Sequence, residues 1–255
     1  MNAGRAVDDE GAAVVLRDAS SGDEPTIAVI AEEGNASADS GYLALLRSQG
    51  ARVVVAETDG AVVGFGSVVE IGQTAMLTDL FVAATSRGDG VGTRLLNELF
   101  AQHIHRMTFS SKHPAASSAY LRAGMEPRWR LLYLEGVVTG GGAPLVAAAW
   151  RHDRSDLVSA FAANGAVVMA DAVVIPTKRG SWLARLQSDG PIDVVRDIFE
   201  SLPAGSAVTL CVPEHSVLCR WLLENGFAII DHDTFFATRS VDLPADLHCI
   251  HPGLA

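Results

Sequence analysis

The stretch Ser86-Arg87-Gly88-Asp89-Gly90-Val91-Gly92-Thr93 sets three glycines at alternate positions directly before an amphipathic segment, TRLLNELFAQHI. Glycine lets a backbone approach an anion with its N–H groups turned inward, and a helix start adds partial positive charge there. A strand, this loop and a helix in succession would therefore suit a pyrophosphate. The sequence has no GxxxxGK[ST], and Gly88, Gly90 and Gly92 do not follow the GxGxxG spacing of a dinucleotide site. By its own spacing the loop reads equally well as a turn that enters a helix. Arg87-Gly88-Asp89 as an adhesive tripeptide is the weaker reading, because the chain offers no extracellular context.

The neighbouring elements narrow the choice. ARVVVAETDGAVVGFGSVVEIG has two β-branched runs around Asp59-Gly60, which is hairpin chemistry, and predicts antiparallel strands near 52–58 and 61–70. AMLTDLFV (75–82) is a third strand. Past the glycines, Leu95, Leu96, Leu99 and Ile104 form one helical stripe. RMTFSS reads as a strand, and HPAASSAYLRAG as a helix stopped by Gly124. The alternation of elements predicts a mixed α/β layer around a central sheet.

Composition bounds the function. The chain has 255 residues, 49% apolar and 19% charged, enough for two domains with cores of their own. A net charge of -11 without a basic face argues against nucleic acid and mildly favours a cationic or amine-bearing substrate. The longest apolar run, Val167 to Ile175, is broken by Asp171, so no membrane association is expected. Cys211, Cys219 and Cys249 are odd in number and make no disulfide framework. With no apolar leader in MNAGRAVDDEG, a cytoplasmic location is expected.

The run LTDLFVAATSRGDGVGTRLL, followed some two dozen residues later by SSAYLRAGMEP, resembles the GNAT superfamily of acyl-CoA-dependent N-acyltransferases. The family's [Q/R]-x-x-G-x-[G/A] is met by Arg87-Gly88-Asp89-Gly90-Val91-Gly92. Its helix with a tyrosine four residues before Gly-[Phe/Met] is met by Tyr120 and Gly124-Met125. The resemblance implies acetyl-CoA as acyl-donor substrate, with no metal. Backbone N–H groups of Arg87, Gly88, Asp89, Gly90, Val91 and Gly92, with Thr93, would hold its pyrophosphate. Leu80, Phe81 and Val82 would pair with the pantetheine arm like an added strand. Tyr120 would donate a proton or hydrogen bond to the leaving thiolate. Asp79, on one strand face with Phe81 while Leu80 and Val82 take the other, is the first candidate for general base, and Glu70 the second. Members often carry Asn seven residues before the tyrosine. His113 stands there, so the polar contact to pantetheine passes to Ser117 or Ser118, or His113 itself handles protons.

Thr139 to Pro144 reads as a linker, which divides the chain into a catalytic domain (12–138), a linker (139–145) and a C-terminal domain (146–255). The order of elements partly recurs after the linker. VTLCVPEHSVLCRWLLENGFAIIDHDTFFATRS is similar to the closing part of a second, degenerate GNAT-like domain. No counterpart of the glycine loop precedes 191–202, and Leu222 replaces the tyrosine. The fold expected is α/β (α+β), with two GNAT-like domains, each a mixed, mostly antiparallel sheet flanked by helices. Trp182, His215 and His232 are possible lining residues of the acceptor site. The activity expected is acetyl transfer to a primary amine of a small molecule by direct attack, in a monomer or homodimer. Two alternatives stay open: a non-catalytic acyl-CoA sensor, and acetylation of a protein lysine or N-terminus.

Overall fold

The structure, a computed structural model, describes residues 13–34, 36, 40–111 and 114–253. In chain order the first half gives β1 (Val15–Asp18), α1 (Glu24–Glu33), α2 (Ser40–Ser48), β2 (Arg52–Thr58), β3 (Ala61–Ile71), β4 (Thr74–Val82), α3 (Val91–Leu99), β5 (His105–Ser110), α4 (Pro114–Arg122) and β6 (Glu126–Val137). The second half gives α5 (Ser155–Ala163), β7 (Val167–Val168), β8 (Ala172–Thr177), β9 (Gly180–Gln187), α6 (Pro191–Ser201), β10 (Ala207–Pro213), α7 (Val217–Glu224), β11 (Ala228–Ala237) and β12 (Leu247–Cys249). The predicted hairpin forms at Asp59-Gly60, both with positive φ (50° and 79°) as a primed turn requires. Ile104 departs from expectation. Helix α3 ends at Leu99 and Ile104 is 77% exposed, because the chain has already turned toward β5.

All strands belong to one mixed, mostly antiparallel sheet, in the order β1-β2-β3-β4-β5-β11-β6-β10-β9-β8-β7, with β12 paired to β9. Strand β11 of the second half lies between β5 and β6 of the first, antiparallel to both. Strand β6 in turn pairs with β10 of the second half. Each half's sheet is thus completed by a strand of the other. Helices α1, α2 and α5 pack on one face through Ile27, Ile30, Leu43, Leu46 and Phe161. The other face carries α3 and α4 over Leu95, Leu99 and Phe236, and α6 and α7 over Val195, Ile198 and Leu222. Among the described residues no helix is long and apolar enough to cross a membrane.

The two halves repeat one geometry. Strands β4 and β5 pair in parallel from Thr74↔His105 to Leu77↔Thr108, and β9 and β10 pair in parallel from Gly180↔Ala207 to Leu183↔Leu210. One residue later each strand carries a bulge against its other neighbour, at Thr78 opposite β3 and at Ala184 opposite β8. Arg185 therefore stands where Asp79 stands.

The glycine-rich connection is packed, not a free tether. The N–H groups of Gly141 and Gly142 donate to the carbonyls of Glu200 (2.8 Å) and Leu202 (3.2 Å). A Cβ on Gly140 would meet the carbonyl oxygen of Phe199 at 2.0 Å, so close approach explains that glycine.

Because β6 and β11 are exchanged, a protease site inserted between Pro144 and Leu145 and then cut is expected to leave two fragments that co-elute as one species in native gel filtration. Separation of the fragments without denaturant would contradict the exchange.

Candidate active site

Past Leu77 and Thr108 the parallel strands β4 and β5 diverge, and a cleft of about 740 Å³ opens where they part. The bulge at Thr78 decides which side chains face it. Strict alternation from Leu77, which packs under α3, would bury Asp79 on the same face. The extra residue turns Asp79 and Phe81 toward α1 and α2 and leaves Leu80 and Val82 on the α3 face.

Asp79 is 8% exposed. Its Oδ2 accepts hydrogen bonds from Ser67 Oγ (2.6 Å), Thr78 Oγ1 (2.8 Å) and Tyr42 OH (2.9 Å). The Ser67 and Thr78 hydroxyls also bond to each other. Burial pushes the Asp79 carboxyl above the usual carboxylate range, outweighing the three hydroxyls, which pull it down. All three bonds fall on Oδ2, so Oδ1 remains for a group entering the cleft.

Tyr120 comes from α4, 6% exposed, its ring 5.5 Å from that of Phe236 on the exchanged strand β11. Burial, with Asp233 and Asp79 close by, pushes its hydroxyl up to about 12, and the nearby Thr108 hydroxyl opposes this. A phenol held this way keeps its proton throughout the physiological range.

The loop between β4 and α3 closes one end of the cleft. Gly88 and Gly90 have φ of +99° and +79°, which turn the chain into α3. The first bond of that helix runs from Arg94 N–H to Gly90 O (3.0 Å). Among the described residues no partner accepts from the N–H groups of Arg87 to Thr93. Arg87 Nε donates to Val82 O (2.9 Å), and Ala84 N–H donates to Glu33 (2.9 Å), so the loop is anchored at its entry. A row of free N–H groups at a helix start fits an anionic diphosphate.

The structure brings together in this cleft Asp79, Leu80, Phe81, Val82, Arg87, Gly88, Gly90, Val91, Gly92, Thr93 and Tyr120. Asp89 and Ser117 stand outside its lining, where Ala115, Ala116 and Ala119 present the α4 face instead. Ser118 is exposed. Glu70 lies at the far end of β3, paired with His103 at 3.6 Å. His215 packs edge-on against Trp129, and His232 does not reach the cleft. Trp182 stands behind the wall, stacked on His251 (4.7 Å). His113 lies outside the described residues.

Four lining residues escaped sequence reasoning. Tyr133 and Asp233 come from the exchanged strands, and the Tyr133 hydroxyl donates to Asp233 Oδ2 (2.7 Å). Alternation in AIIDHDTFFA sets Asp233 on the face of Phe235, but only the placement of β11 beside β5 brings that face to the cleft. Tyr42 arrives from α2. His251 follows β12, where no periodicity could signal it. Burial lowers its imidazole to about 4, so it is neutral, and Nδ1 accepts from Gly253 N–H (3.1 Å).

This architecture is a mixed α/β sheet that parts between two parallel strands, with a glycine loop and a buried tyrosine at the split. The comparisons agree. Residues 49–127 match the family model of the acetyltransferase (GNAT) domain. A crystal structure from Pyrococcus horikoshii, provisionally described as an acetyltransferase, aligns over 94% of this chain and 95% of its own with a TM-score of 0.71 at 13% identity. A GCN5-related N-acetyltransferase from Sphaerobacter thermophilus aligns over 90% and 98% (TM-score 0.56, 12% identity). Another from Anabaena variabilis aligns over 88% and 72% (TM-score 0.56, 15% identity). No curated protein matches the sequence. Residues 49–127 are thus an acetyltransferase (GNAT) domain by the family-model match, and the chain as a whole shares the fold of these acetyltransferase structures.

The raised pKa of Asp79 fixes the sign of a stability effect. A carboxyl that prefers its proton when folded contributes stability that is fully present below its usual value of 3.8 and is lost as pH rises through the folded value. Asp79→Asn is therefore expected to melt with the wild type near pH 4 and above it at pH 8. A Tm difference that stays flat across this range would show that Asp79 is not held toward its protonated form.

Proposed function

We propose that the protein transfers the acetyl group of acetyl-CoA to a primary amine of a small molecule by direct attack. The observation that carries this reading is the single cleft joining the free N–H groups of Arg87 to Thr93, the diverging edge of β4, Tyr120 and Asp79. Bound acetyl-CoA supplies a thioester carbonyl activated toward amines.

The residues divide the work. Gly88 to Thr93 hold the diphosphate through backbone N–H groups, with Arg87 beside them. The backbone of Leu80, Phe81 and Val82 on the side away from β3 binds the pantetheine amides as a neighbouring strand would. Tyr120, which keeps its proton to about pH 12, donates it toward the departing sulfur. Asp79 takes the proton of the incoming ammonium at Oδ1, and its raised pKa moves it toward the operating pH, where a general base is most effective. No cysteine lines the cleft, and burial pushes the thiols of Cys211 and Cys249 up, which supports a route without an acyl-enzyme.

Residues 12–138 form the catalytic half and 146–255 a degenerate repeat joined through 139–145. Three features support this: the repeated register, Arg185 in place of Asp79, and Leu222 in place of Tyr120. His251, Pro252 and Gly253 wall the acceptor end, which favours a small acceptor over a folded protein. The three free, buried cysteines support a reducing, cytoplasmic setting.

The test is release of free coenzyme A thiol with acetyl-CoA and a panel of small amines. Tyr120→Phe should lower turnover about a hundredfold or more while coenzyme affinity stays within about twofold. Gly90→Glu, which strains a φ of +79° and puts a carboxylate in the loop, should weaken coenzyme binding by roughly tenfold or more. Tight binding of acetyl-CoA without turnover of any amine would replace this reading with that of a sensor.

A further inference from the structure

We propose that Ser67 and Thr78 are positioning residues for proton transfer, their hydroxyls holding Asp79 by one carboxyl oxygen so that the other stays available to the acceptor. The inference rests on the acetyl-transfer reading, with Asp79 as the base, and deepens it. Ser67 pairs with Asp79 in the β3–β4 register, is fully buried and is not part of the cleft lining, so it can act only through Asp79. Thr78 is the bulged residue. On a regular strand consecutive side chains point to opposite faces. The bulge lets Thr78 Oγ1 reach the carboxyl of the next residue, at 2.8 Å from Oδ2. Ser67 Oγ reaches the same oxygen at 2.6 Å, and the two hydroxyls contact each other. A carboxyl turns about a broad, two-fold torsion. Donors from two strands, with Tyr42 of α2 as a third, stop that rotation.

The second half shows what the same backbone carries when the acid is gone. Its register pairs Arg185 with Val173, as Asp79 pairs with Ser67, and makes Ala184 the bulged residue, as Thr78 is. Both hydroxyls are absent where the carboxyl is absent. The bulge and the strand pairing therefore form without a hydroxyl at either place, and Ser67 and Thr78 serve the carboxyl rather than the fold. Donors to an ionised carboxyl favour its charged form, against the enclosure that raises its proton affinity. The titratable groups that share the cleft with Asp79 are Glu33, Tyr42, Tyr120, Tyr133, Asp233 and His251. Burial pushes the three phenols up, so they keep their protons, and His251 is neutral. Arg87 stands in the glycine loop and Arg122 in the last turn of α4. All of these stay the same when only a hydroxyl is removed.

The experiment titrates Asp79 directly in the full chain. Aspartate labelled with 13C at the side-chain carboxyl is incorporated, the Asp79 signal is identified by its loss in Asp79→Asn, and its titration is followed by NMR. Loss of one hydrogen bond to a charged group predicts that Asp79 binds its proton about tenfold more tightly in Ser67→Ala and in Thr78→Val, while Thr78→Ser keeps the wild-type titration. For whichever small amine the wild type acetylates, the acid limb of kcat/KM moves to higher pH by the same factor in both variants. A merely structural loss would instead lower kcat/KM equally at every pH. An Asp79 titration that stays in place in both variants, or moves to lower pH, overturns the inference whether or not any amine is turned over. A titration that moves while the kinetic limb does not also overturns it, since Asp79 is then not the proton acceptor. If the titration moves and no amine is acetylated, the acetyl-transfer reading fails and the hold of the two hydroxyls on Asp79 stands.

Discussion

Beyond Leu77 and Thr108 the two parallel strands at the centre of the first half lose each other as hydrogen-bonding partners, and every later feature of the cleft depends on that parting. A parallel pair that stayed in register to its end would leave no backbone edge for an amide-bearing arm. The bulge at Thr78 acts together with the parting. One extra residue turns Asp79 from the packed α3 face to the side where Tyr42 and Ser67 can hold it. The glycine loop then starts where β4 ends, so anion donors, strand edge and buried acid follow one another along a single stretch of chain.

What the amino-acid sequence made legible was local. Asp59-Gly60 announces its hairpin, Gly88 and Gly90 sit where positive φ is needed, and Tyr120 with Gly124 marks its helix. The glycine loop and Tyr120 are legible because each carries its own signal within a few neighbouring residues. Asp233 and Tyr133 were missed for the opposite reason. Both strands can be read from alternation, but nothing local says that β11 will insert between β5 and β6, since that choice is made by packing across the whole sheet. His251 lies past the last long strand, in a segment whose position is set by the strand it follows.

Repetition of the same geometry shows how little of it amounts to chemistry. The second half keeps the parallel register, the bulge and the helix that stops at Gly226, yet it presents Arg185 and Leu222 where the first half presents Asp79 and Tyr120. Arg185 is 3% exposed, its Nε and Nη1 have no hydrogen-bond partner among the described residues, and burial lowers its guanidinium to about 10. The second half instead supplies β11 and the wall around His251.

Strand β12 sits where the parting of β9 and β10 would otherwise give a second cleft. It pairs Leu247 with Gln187 and Cys249 with Leu186, and Ile250 N–H reaches Cys211 O at 3.0 Å. The segment that fills this split is covalently tethered, at an effective concentration that no metabolite level alters. A split filled by a diffusing ligand follows mass action instead, so its stability rises and falls with supply. Of two partings built on the same parallel register in one sheet, one is thereby closed by its own chain and the other is open to whatever ligand enters it.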